Sequence, residues 1–236
     1  MELEVIFENL HIGDRNYPPL RNSQLINLAF EIEDEFITRI SNENYVFKKV
    51  DIATYDFSGK VIGVYEDEPD SNLIIIDVGV FKFYIISHNL HTAKINEFYK
   101  GQGTLLFDHF AWFENYTDYN NPPWLFYKFQ VSKILKVKMP EEFINRYNNG
   151  FSFPSKLQPE EIRKTEISLI QSMENEDFNT EFYIISLTNE GISDKEVPFT
   201  FIDESGSWFE NKIAYNKLRV SPHPHAWKLC WLSSKR

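Results

Sequence analysis

The residues best suited to metal or nucleophile chemistry lie in residues 221–236, SPHPHAWKLCWLSSKR. His223 and His225 bracket Pro224, and in an extended segment their imidazoles point the same way. Cys230, the sole cysteine, follows between Trp227 and Trp231. Zinc takes three or four such ligands in a tetrahedral shell. Alternation along AWKLCW turns Cys230 away from the tryptophans, and a further ligand has to come from His11, His88, His91 or His109. An edge strand protected by proline accounts for the same residues without a metal. His88 and His91 form an H-x-x-H pair, but they follow a strand-like run and lack the glutamate of H-E-x-x-H. Cys230 as a nucleophile needs a base, and only sequence proximity offers His225.

Phosphate chemistry fares no better. Ser58-Gly59-Lys60 has no glycine five residues before Gly59, and Val61 stands where a P-loop carries Ser or Thr. Gly101-Gln102-Gly103 lacks the third glycine of a dinucleotide fingerprint, and no Gly-x-Ser-x-Gly elbow occurs. Carboxylates are plentiful at Glu31, Glu33, Asp34, Glu35, Glu66, Asp67, Glu68 and Asp70. Acid–base catalysis needs two of them in one pocket with shifted pKa values, whereas turns and strand ends leave them solvated. The expectation is a protein that is not an enzyme, with no catalytic residue, no metal and no cofactor.

Binding chemistry is better represented. Residues 111–127, AWFENYTDYNNPPWLFY, hold Trp112, Phe113, Tyr116, Tyr119, Trp124, Phe126 and Tyr127. Such rings, with Glu114 and Asp118 among them, suit stacking on a sugar or the hot spot of a protein interface; as an alternative, half of them fill the end of a barrel. Glu66, Asp67 and Glu68 offer an acidic patch. The candidate binding set is therefore Trp112, Tyr116, Asp118, Tyr119, Trp124, Glu66, Asp67 and Glu68.

The net charge of −11 argues against nucleic acid as a partner, because neutralising phosphates takes Lys and Arg. Residues 217–236 contain five basic and no acidic side chains, which leaves −16 on the rest of the chain. A field of that size speeds association with a basic partner by roughly 10- to 10³-fold. The expected function is thus that of a binding protein with an acidic face, an inhibitor or immunity-type protein that neutralises a basic partner. The alternative is a barrel that recognises a carbohydrate or other small molecule through the aromatic loop. The opening MELEVIFENLHIG has no basic region and no long apolar stretch, and runs such as residues 73–76 are too short for a bilayer. Cytoplasmic location without a membrane partner is expected.

Strands must position these residues. The chain is 42% hydrophobic and 16% aromatic over 236 residues, enough for a sizeable core. Residues 24–32, QLINLAFEI, alternate strictly, with Leu25, Asn27, Ala29 and Glu31 opposite an apolar face. Residues 59–65, 73–80 and 81–86 read as strands, the first two joined through the turn formers EDEPDSN. Residues 127–139 alternate with a phase slip near Lys133 that predicts a bulge. Residues 94–106, KINEFYKGQGTLL, read as a short helix or turn leading into a strand. A lead strand, a glycine-containing hairpin, a brief helical link and a KGQGTLL strand together resemble an OB-fold barrel over residues 20–140. The fold class is mainly β: an OB-like barrel in residues 1–150 and a smaller β-rich unit in residues 151–236 packing on it. The boundary falls after a short helix starting near Pro140 and ending at Asn148-Asn149-Gly150. In the second unit, residues 164–173 and 180–188 read as a hairpin, with a helix over 159–173 as the alternative. Residues 198–202 and 212–220 complete it.

Overall fold

A computed structural model describes residues 1–8, 19–68, 71–87, 90, 92–108, 112, 122–138, 163–170 and 181–189. They are mainly β, as expected. The strands are β1 (Glu2–Glu8), β2 (Leu20–Arg21), β3 (Leu25–Leu28), β4 (Phe30–Ile40), β5 (Val46–Asp51), β6 (Thr54–Glu68), β7 (Ser71–Asp77), β8 (Lys82–Ser87), β9 (Phe98–Phe107), β10 (Tyr127–Lys138), β11 (Arg163–Ile167), β12 (Leu169–Ile170) and β13 (Glu181–Thr188).

Five of them close a barrel. β6, β7 and β8 form an antiparallel meander, β9 pairs with both β6 and β4, and β8 meets β4 in parallel at Glu31↔Tyr84. A walk across paired residues from Ile40 passes Phe98, Lys60, Asp77 and Lys82, two residues short of the Tyr84 that meets Glu31. It returns to β4 near Ala29, far from its starting point at Ile40. That stagger is what closing so few twisted strands demands.

The bend that allows closure lies in β6. Its first half pairs with β9 and its second half with β7. At the crossover sits Gly59, where a Cβ would lie 2.2 Å from the Asp77 carbonyl oxygen. Only glycine lets the two backbones approach so closely.

A second set of strands extends the same sheet. β1 touches β9 in parallel at Ile6↔Leu106 and pairs along its length with β13. β13 in turn pairs with β10, whose far edge carries β3 and β11. The core runs through both parts. Phe30 packs edge-on to Phe81 and Phe129, Phe57 to Phe83, and Phe7 to Phe107. A smaller cluster of Ile6, Leu106, Val137, Phe182 and Ile184 lies on the opposite face of the extension.

Several expectations meet the structure directly. The slip near Lys133 is a register shift between Val131 and Lys133, which leaves Ser132 as the extra residue of a bulge. Residues 24–32 are two strands: β3 pairs with β10, and β4 enters the barrel just past Ala29. Asn27, expected on the polar face, is buried, because this stretch is covered on both sides. Phe98 begins a strand directly, with a turn and no helix before it. Residues 163–167 and 169–170 are strands separated by a bend at Ser168, and β11 and β13 flank β10 on opposite edges; the two do not pair with each other. β11 and β13 thus share the sheet of the first unit, while β12 pairs with β2 in a separate two-stranded sheet. The expected boundary, the helix near Pro140 and the strands over 198–202 and 212–220 lie outside the described residues.

Candidate functional site

Of the aromatic candidates, Trp112 packs against the strand that ends in Glu66, Asp67 and Glu68. Trp112 has no exposed surface, and its ring lies between Tyr84 on β8 (6.4 Å, nearly parallel) and Tyr65 on β6 (5.9 Å, edge-on). Tyr65 is followed directly by Glu66, Asp67 and Glu68, which end β6 at its hairpin with β7. The aromatic segment is therefore anchored by Trp112 beside the acidic strand end.

Beneath Trp112 is a buried polar cluster that sequence reasoning missed. The Tyr84 hydroxyl lies 2.7 Å from Asp108 Oδ1 and 2.9 Å from Glu31 Oε2, and it has one proton to donate. Asp108 Oδ1 also accepts the backbone N–H of Trp112 at 3.2 Å, while the Asp108 N–H donates to the Ala29 carbonyl at 3.1 Å. Burial, then the charges of Asp108 and Glu31, hold the Tyr84 phenol well above its ordinary pKa. It stays a hydrogen-bond donor at any physiological pH, which suits a positioning role and not a base or nucleophile. Only the position of Asp108, an acid ending the apolar strand GTLLF, hinted at this cluster.

The remaining candidates are placed as follows. Trp124 is half-buried and meets Phe126 edge-on at 5.1 Å. From there the chain passes into β10, where the Tyr127 hydroxyl accepts the Lys82 N–H and its ring touches Phe81. Burial pushes the Tyr127 phenol up to about 12. Glu31 is half-buried and Glu33 exposed on β4. Tyr116, Asp118, Tyr119, both histidine pairs and Cys230 lie outside the described residues. Among the described residues, no three His, Cys, Asp or Glu side chains gather as a metal-ligand set. Also among them, no helix is long and apolar enough to cross a membrane.

No family model matches the chain, and neither a curated protein nor a solved structure matches it.

Proposed function

We propose that this protein is a non-enzymatic binding protein that docks a basic partner through the acidic side of its barrel, as an inhibitor or immunity-type protein would. The supporting observation is the chain of contacts from Glu31 through Tyr84 and Trp112 to Tyr65, at whose strand end Glu66, Asp67 and Glu68 stand. Trp112 and Tyr84 are buried and hold this side of the barrel in place, while the carboxylates at the strand end steer the approach of a cationic protein surface. The test is capture of partners by the tagged protein at low salt, a salt-step elution, and repetition with Glu66, Asp67 and Glu68 replaced by their amides. A basic protein held by the parent and lost by the variant supports the reading. Equal capture by both removes the acidic strand end from it.

A carbohydrate or other small molecule is the alternative ligand, favoured by the half-buried Trp124 against Phe126. Its binding would be insensitive to salt and abolished by Trp124→Ala. In fold, we read the barrel as sharing its class with OB barrels and not its strand order. Its parallel seam joins the first and fourth strands of the ring, where an OB barrel joins its third and fifth.

A further inference from the structure

A second surface, separate from the acidic one, carries the chemistry of a ligand site. It is the outer face of the barrel where β4, β9, β6 and β5 lie side by side. Pairing register sets two rows of residues across this face: Phe36, Gln102, Asp56 and Lys48 in one, Thr38, Lys100, Ser58 and Val46 in the other.

Phe36 owes its outward position to a bulge. Regular alternation from the buried Phe30 and Ile32 would turn Phe36 inward. The register shift between Asp34 and Phe36 reverses the phase, so that Ile37 packs on the core and Phe36 is 54% exposed. Gly101 lets the sheet lie close beneath: a Cβ there would be 2.5 Å from the Phe36 carbonyl oxygen and 2.6 Å from the Phe57 ring. Facing Phe36 is the chain between β4 and β5, fastened by the Ser58 hydroxyl donating to the Asn44 carbonyl at 2.7 Å and by Tyr45 packing on Phe98.

Between these walls is an open cleft of about 710 Å³, lined by Phe36, Arg39, Asn42, Asn44, Asp56 and Lys100 among others. The size suits one small ligand. Its polar groups are not equivalent. Asp56 accepts the Gln102 amide at 2.6 Å, and Arg39 pairs with Glu97 at 2.9 Å. Lys100 has no ion-pair partner among the described residues, and neither does Lys48 at the rim, opposite Asp56. In an acidic chain, this face offers uncommitted cations, side-chain amides and an exposed ring.

We infer that this cleft binds a free mononucleotide: the base stacks on Phe36, the amides of Asn42 and Asn44 meet its polar edge, and Lys100 holds the phosphate. The stacking and the cation supply separate parts of the affinity. A neutral sugar would leave Lys100 unused, and a strand of several nucleotides exceeds a cleft of this size.

The test is calorimetric titration of the full chain with AMP, GMP, CMP and UMP, with adenosine, glucose 6-phosphate and inorganic phosphate as controls. At least one mononucleotide is expected to bind at least about tenfold more tightly than all three controls. Phe36→Ala and Lys100→Ala should each weaken that binding by about tenfold, with melting temperatures close to the parent's because both side chains are exposed. The inference is overturned if no mononucleotide binds, if glucose 6-phosphate binds as well as the best of them, or if either substitution leaves binding unchanged. A tetranucleotide that binds more than tenfold tighter would also overturn it, by pointing to a nucleic-acid strand. Substitutions at Glu66–Glu68 should leave this titration unaltered, so its failure and that of the acidic-face reading are distinguishable.

Discussion

At the scale of single residues, hydroxyl groups of buried tyrosines organise the structure. Tyr84 joins Glu31 to Asp108, and Asp108 holds the backbone of Trp112. Tyr84→Phe keeps the ring but leaves two carboxyl groups facing each other without their donor. It should cost about 1–3 kcal/mol in urea unfolding and loosen Trp112, which tryptophan fluorescence would register as a red shift. Tyr55 plays a comparable part at the first strand: its hydroxyl accepts the Glu4 N–H at 2.8 Å and donates to the Glu4 carbonyl at 3.1 Å. Burial pushes its phenol up to about 12. A phenol whose folded pKa is raised favours folding fully below the unfolded value near 10 and loses that contribution as pH climbs through 12. Stability should therefore fall by about 2–3 kcal/mol for this group between pH 9.5 and 12. Urea unfolding across that range should show a shallower decline in Tyr55→Phe.

At the scale of elements, β13 is the strand on which the sheet extension depends, since it lies between β1 and β10 with Ile185 opposite both Val5 and Ile134. Ile185→Ala should cost about 2–5 kcal/mol. A fragment ending at residue 150 would leave the apolar edges of β1 and β10 unpaired and should give the circular dichroism of an unfolded or aggregated chain. Local patterns made much of this level readable. The β6–β7 turn was visible in EDEPDSN, and the β10 bulge showed as a phase slip, because both are short-range effects of turn chemistry and side-chain alternation. The partnering of strands was not readable. QLINLAFEI has one unbroken alternation, yet its halves pair with strands about a hundred residues later and in the barrel respectively. β5 carries a mixed pattern, and although β1 alternates, with Leu3, Val5 and Phe7 on one face, nothing local pairs it with β13. For the candidate site, aromatic content pointed to Trp112 but not to its burial. No spacing linked it to Tyr65, Tyr84 and Asp108, which meet only once the barrel closes.

At the scale of the whole molecule, charge and architecture act together. The barrel carries acidic residues at the end of β6 and on β4, with an aromatic anchor between them, in a chain of net charge −11. Long-range attraction to a cationic surface should dominate the association rate and fall as salt screens it, the screening length being about 10 Å at 0.1 M and shorter above. The direct measurement is the salt dependence of partner binding for the parent chain and for a variant with Glu66→Gln, Asp67→Asn and Glu68→Gln. With the partner recovered at low salt, the association rate should drop at least about tenfold between 0.05 and 0.5 M salt. The variant should bind more slowly at low salt and show a flatter dependence. A partner that binds both chains equally, with a rate indifferent to salt, would contradict the acidic docking surface at the centre of this account.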